Sequence, residues 1–136
     1  MKIIVLDDSM TVRMIVESFL EDLGLDEDEI FLFEDGRDAL RFIQDSGADI
    51  VFSDINMPHM NGYEFARALF KIREDLKHTF FAISGDETRE NYAKMKEQGV
   101  HRFLKKPIKS EHFKHFVYPE ILKCRLAEEN LYEDVD

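Results

Sequence analysis

At 136 residues and 16.1 kDa the chain has room for one domain with a substantial core and none for a second folded unit. With 44% apolar and 35% charged residues it reads as globular, and a formal charge of −11 argues against nucleic acid, whose phosphates are bound by clustered Lys and Arg. No run approaches the roughly 18 apolar residues of a membrane span and no signal-peptide profile precedes the first strand, so the expected setting is cytoplasmic, without membrane insertion. Cys124, the single cysteine, cannot form an internal disulfide and is read as a structural thiol.

Strand-like and helix-like segments alternate five times. Lys2 to Leu6 is a short apolar run rich in β-branched residues, which predicts a strand buried on both faces. Helix 1 follows from about Ser9 to Leu23, with Val12, Ile15, Val16, Phe19 and Leu20 at helical spacing and Gly24 as its stop. Ile30 to Phe33 predicts strand 2, and Gly36 opens a helix that ends at Gly47. Ile50 to Ser53 is strand 3, Tyr63 to Arg73 helix 3, and Thr79 to Ser84 strand 4. A helix poor in apolar residues runs from about Glu87 to Gln98, and His101 to Leu104 is a short strand 5. Beyond Ser110 a last helix begins, which Pro119 is expected to kink or divide, with a second piece from Pro119 to about Leu131. The tail carries Glu128, Glu129, Glu133, Asp134 and Asp136 without a balancing base.

Helices of this length between buried strands imply right-handed crossovers and a five-stranded parallel sheet covered on both faces, a three-layer α/β/α architecture. In such sheets ligands bind at the carboxyl ends of the strands. That rule gathers Asp7, Asp8, Asp54, Ser84 and Lys106 onto one rim. Asp54 sits where strand 3 enters the Pro- and Gly-punctuated loop Asn56-Met57-Pro58-His59-Met60-Asn61-Gly62. Three carboxylates close together repel one another, so a cation is expected to neutralise them. Hard oxygen donors suit Mg²⁺, with Mn²⁺ as a substitute. Asp8 and Asp54 are placed to ligate directly, with the Asn56 carbonyl nearby and Asp7 acting through water. With Lys106 as a fixed cation and Ser84 as a hydroxyl donor, the set describes a phosphoryl pocket in which Asp54 is the nucleophile and forms an acyl phosphate.

In combination, Asp7-Asp8 after strand 1, Asp54 in D-x-x-M-P-x-M-N-G, Ser84 followed by a small residue, and Lys106-Pro107 after strand 5 resemble a response-regulator receiver domain of the single-domain chemotaxis type. The resemblance runs from about Lys2 to Leu122, leaving 123–136 as a helical extension and acidic tail, and it implies the flavodoxin-like doubly wound sheet. It also implies Asp54 as phosphoacceptor and Asp8, Asp54 and the Asn56 backbone carbonyl as metal ligands, with Asp7 orienting metal-bound water. Lys106 would pair with the phosphoryl group, and Ser84 would move toward it after transfer. Phe103 matches the family's aromatic switch. Asn56 and Asp86 match positions that tune hydrolysis of the acyl phosphate. Ser84 stands where Thr is commoner and Gly85 where Ala is usual; Phe103 lacks a phenolic hydroxyl, so its inward rotamer costs no polar desolvation.

The implied partners are a histidine kinase or histidine phosphotransfer protein and a downstream protein target on the helix 4, strand 5 and helix 5 face, with a monomer before phosphorylation. Such a protein acts as a phosphorylation-dependent switch that promotes its own phosphorylation and dephosphorylation without acting as an enzyme on a separate substrate. Two other readings stand beside it: a phosphate-independent scaffold with the receiver fold, and a small Mg²⁺-dependent phosphohydrolase. Against the second, no cap insertion exists and the nucleophile candidate lies on strand 3. Among the histidines, His112 and His115 are spaced to share a helix face and His59 lies in the loop after Asp54; none shows zinc-ligand spacing with the carboxylates.

Overall fold

The computed structural model describes residues 1–85 and 88–133, with 130–133 described by backbone alone. Five strands, β1 (Ile3–Leu6), β2 (Ile30–Phe33), β3 (Ile50–Asp54), β4 (Phe80–Ser84) and β5 (Phe103–Lys105), alternate with helices α1 (Met10–Asp22), α2 (Gly36–Ser46), α3 (Gly62–Ile72), α4 (Arg89–Glu97) and α5 (Ser110–Glu133). All ladders are parallel and the strand order is β2-β1-β3-β4-β5. Consecutive strands therefore step outward in one direction to β2 and in the other from β3 onward. The reversal falls beside β1, the crevice where sheets of this doubly wound, flavodoxin-like kind take their ligands.

Burial explains why the inner strands are continuous apolar runs. Every residue of β1, β3 and β4 is buried, because helices cover both faces of the sheet. On one side, Ile4, Leu6, Val51, Phe80 and Ala82 meet Ala39 and Ile43 of α2, Phe65, Ala66 and Leu69 of α3, and Met95 of α4. On the other, Ile3, Val5, Ile50, Phe52, Phe81 and Ile83 meet Val16 and Leu20 of α1 and Phe113, Val117 and Ile121 of α5. Phe52 stacks on Phe81 at 5.2 Å and on Phe113 at 5.5 Å between centroids, tying α5 to the centre of the sheet.

Helix boundaries follow local chemistry. Ser9 caps α1 by accepting from the Val12 amide, Asn61 and Glu64 form a reciprocal capping box on α3, and Thr88 caps α4. Gly24, the predicted stop of α1, and Gly99, just past the end of α4, have φ of 95° and 93°, the left-handed region where a side chain is disfavoured. With Thr88 as its cap, α4 begins at Arg89; Glu87, where the sequence reading starts this helix, lies outside the described residues. Strand β5 lies two residues later than expected at its start, since Phe103–Lys105 are the residues that pair with Ala82–Ser84.

The expected division at Pro119 is corrected: α5 runs as one helix through it for 24 residues. Phe113, Val117 and Ile121 are spaced four apart and all fully buried, so one apolar stripe packs on the sheet from both sides of the proline. That packing holds the helical path although Pro119 has no amide to donate. Residue 122, where the sequence reading ends the receiver unit, lies within this helix. Of the tail, 134–136 lie outside the described residues.

Candidate functional site

Register places the rim. Leu6 pairs with Ser53 and Asp54 with Ile83, so Asp7 and Asp54 leave adjacent strands at the same level. The Ile55 amide donates to the Ile83 carbonyl at 3.2 Å and the Lys106 amide to the Ser84 carbonyl at 2.6 Å, which joins the ends of β3, β4 and β5. Asp7 is anchored at both ends of its residue: its amide donates to the Phe33 carbonyl at 3.1 Å, and its carbonyl accepts from Arg13 Nη1 at 2.6 Å.

One carboxylate oxygen from each of Asp7, Asp8 and Asp54 lies within 4.8 Å of the others. Asp7 and Asp54 are buried, at 0% and 2% exposure, whereas Asp8 is exposed. Lys106 Nζ stands 3.2 Å from Asp7 Oδ2 and 3.3 Å from Asp54 Oδ2, one ammonium shared by two buried carboxylates. Asp7 Oδ1 accepts from the Ser9 amide at 2.8 Å. Asp54 Oδ1 is buried and accepts no hydrogen bond.

Burial pushes the Asp54 carboxyl up to about 7, and the neighbouring Asp7 charge adds to the rise against the opposing pull of Lys106. Asp7 is raised too, first by burial, with its Ser9 hydrogen bond and Lys106 opposing. Burial alone would lower Lys106, but the charges of Asp54 and Asp7 outweigh it and the ammonium is stabilised. Three carboxylates with one ammonium leave excess negative charge and an unpartnered buried oxygen. Such a donor set fits a hard divalent cation of the Mg²⁺ class.

The remaining predicted residues fall around this centre. Ser84 is buried at the end of β4. Phe103 is half-buried on β5, its ring edge-on to Tyr92 of α4 at 5.3 Å. Asn56 is exposed, and its Oδ1 accepts from Asn91 Nδ2 of α4 at 3.4 Å. Asp86 lies outside the described residues. His112 and His115 are exposed on α5, and among the described residues no histidine joins a metal-ligating cluster. Cys124 packs against the α1 and α5 core, and burial pushes its thiol up.

Three further contributors stand outside the predicted site residues. A Cβ on Gly62 would stand 2.5 Å from the Asp54 carbonyl oxygen and 2.7 Å from Ile55 Cα, so the loop holding Asp54 closes only because Gly62 has no side chain; its place in the loop motif was the available signal. Arg13 reaches the Asp7 carbonyl from the first turns of α1, six residues on, and Asn91 reaches Asn56 across 35 residues, a contact for which local sequence carries no signal.

The fold is that of a doubly wound α/β protein with an acidic crevice at its switch point, and the family follows from sequence. Residues 3–118 match the model of the response regulator receiver domain, and the chain belongs to that family. It is 36% identical over 119 residues to the transcriptional regulatory protein FlgR of Helicobacter pylori, covering 87% of this chain but 29% of FlgR. Against the chemotaxis protein CheY-3 of Vibrio cholerae it is 33% identical over 109 residues, covering 79% of this chain and 82% of CheY-3. The crystal structure of Vibrio cholerae CheY4 superposes with a TM-score of 0.70 at 30% identity, over 93% of this chain and 96% of CheY4. Receiver domains of two-component systems usually signal through phosphorylation, typically bind Mg²⁺ in an acidic pocket, and are in general switches rather than enzymes. Among the described residues no helix is long and apolar enough to cross a membrane.

Proposed function

We propose that this receiver accepts a phosphoryl group on Asp54 from a phosphohistidine of a kinase or phosphotransfer protein and signals by changed protein contacts. The observation that carries this reading is the buried Asp54 carboxylate, with one oxygen beside Lys106 at 3.3 Å and the other without a hydrogen bond. Asp54 attacks phosphorus with an oxygen lone pair, the phosphorus–nitrogen bond breaks, and its electron pair leaves on the donor imidazole, which takes a proton from water. The nucleophile must be ionised, and Lys106 favours that form.

Asp8, Asp54 and the Asn56 carbonyl are the residues that would hold Mg²⁺, which supplies positive charge to the carboxylates and to the phosphoryl oxygens during transfer. Asp7, fully buried and held by the Ser9 amide and Arg13, would orient metal-bound water. After transfer the phosphoryl group carries more charge than the carboxylate it replaces, and Lys106 and the Ser84 hydroxyl would be its cationic and neutral donors. Moving a two-state switch from 1:99 to 99:1 takes about 5.5 kcal/mol. Two hydrogen bonds to a charged group, at about 1.5–3 kcal/mol each, reach that range. The Ser84 shift would open room beside Phe103, whose contact with Tyr92 links β5 to α4; the target then reads the face of α4, β5 and α5.

The test is intact-protein mass after incubation with Mg²⁺ and a small acyl-phosphate donor. One phosphoryl adduct is expected, lost in Asp54→Asn and in chelator. A folded, Mg²⁺-binding protein that takes no adduct would overturn the reading in favour of a phosphate-independent scaffold.

A further inference from the structure

Helix α5 carries two apolar rows. The first, Phe113, Val117 and Ile121, is buried against the sheet. The second, Tyr118, Leu122 and Leu126, has the same four-residue spacing and is exposed at 37%, 42% and 56%. At 100° per residue the two rows stand about 140° apart around the helix, so the second faces solvent. Arg125 pins this part of α5 to the body, with Nη2 at 3.2 Å from Glu29 Oε1 and 3.3 Å from the Gly24 carbonyl. The exposed row is thus a firmly presented strip, and among the described residues no internal packing accounts for it.

We propose that this strip is the contact surface for a second copy of the chain, two α5 helices packing antiparallel about a twofold axis at Leu122. In that register Leu122 meets its own copy and Tyr118 meets Leu126 of the other chain, in both directions, as an isologous interface requires. His115 then faces Glu129 twice. Both residues are exposed on the same side of α5 as the apolar row, and each pair joins a group able to carry positive charge to a carboxylate. A parallel pairing would instead set Glu129 against Glu129 and His115 against His115. Sliding the antiparallel pair by one turn leaves Tyr118 or Leu126 without an apolar partner. Three apolar side chains per copy make a small interface, below the roughly 1,200 Å² of stable complexes, so the dimer is weak, with dissociation in the micromolar range or above. This contact lies apart from the carboxylate rim and does not depend on phosphorylation.

Sedimentation of the full chain from about 10 µM to 1 mM tests it. The expected result is a concentration-dependent dimer that Leu122→Glu abolishes while circular dichroism stays unchanged. Glu129→Lys should weaken association roughly tenfold, and His115→Glu combined with Glu129→Lys should restore it. A monomer throughout, as the sequence reading expects, overturns the proposal. So does a dimer indifferent to Leu122→Glu, and failure of the double variant to restore association overturns the antiparallel register.

Discussion

Asp54 and Asp7 owe their weakened acidity to position rather than type, since both are aspartates at strand ends that sit out of water beside one another. The Asp54 carboxyl, pushed up to about 7, is half protonated near neutrality in the absence of metal. Mg²⁺ must displace that proton, so its affinity should fall about tenfold as pH drops from 8 to 6, which isothermal titration would register together with proton release. The sign for stability is opposite. A carboxyl whose folded pKa exceeds its unfolded value favours the fold most below the unfolded pKa, and that contribution is lost as pH rises through about 7. Metal-free protein should therefore melt higher at pH 5.5 than at pH 8, and Asp54→Asn should raise the melting temperature at pH 8; equal melting of variant and parent there would contradict the assigned burial cost. Gly62 is the other residue with a sharp expectation. Gly62→Ala forces contacts of 2.5 and 2.7 Å on the backbone at Asp54 and Ile55, so urea denaturation should show a loss of about 1–3 kcal/mol. The adduct formed with an acyl-phosphate donor should diminish in parallel.

Among the elements, α5 departs furthest from what local propensity predicts. A proline in a helix interior costs about 3 kcal/mol, yet α5 continues through Pro119 because Phe113, Val117 and Ile121 bury on both sides of it. Pro119 is exposed, so replacing it removes no core contact. Pro119→Ala returns an amide to the His115 carbonyl. It also frees the unfolded chain, at a cost of about 0.4–1 kcal/mol. The hydrogen-bond and steric gain is the larger, and chemical denaturation should show a net stabilisation of about 2 kcal/mol. A destabilised variant would mean that the proline sets the path of the helix. Strand β5 teaches the complementary lesson. Its first expected residues, His101 and Arg102, fall outside the strand, and only the pairing of Phe103–Lys105 with β4 sets the position from which Lys106 reaches the carboxylates.

The whole molecule carries a formal charge of −11, and its self-repulsion opposes the compact state. Added NaCl screens that repulsion over about 10 Å at 0.1 M. The ion pairs at the surface lose little in exchange, since exposed pairs contribute about 0–1 kcal/mol each. In chelator at pH 7.5, the melting temperature should rise by a few degrees between 10 and 300 mM NaCl; a fall would assign the surface pairs a larger share than their exposure allows. The same charge distribution sets the carboxylate rim inside a generally negative surface, so a divalent cation is attracted before it reaches Asp8. Architecture and charge converge at the crevice beside β1, where the order of strand addition reverses and strand ends leave a gap.

Sequence by itself determined the alternation of five strands and five helices, the parallel sheet and the rim of Asp7, Asp8, Asp54, Ser84 and Lys106. Those features rest on local pattern: apolar runs, helical spacing, Gly stops and the rule that carboxyl ends of parallel strands share one edge. Tertiary structure alone decided that one Lys106 ammonium serves two buried carboxylates, that α5 survives Pro119 and that Tyr118, Leu122 and Leu126 remain exposed among the described residues. Each of these depends on distances and dielectric surroundings between residues far apart in the chain, which no local window of sequence contains.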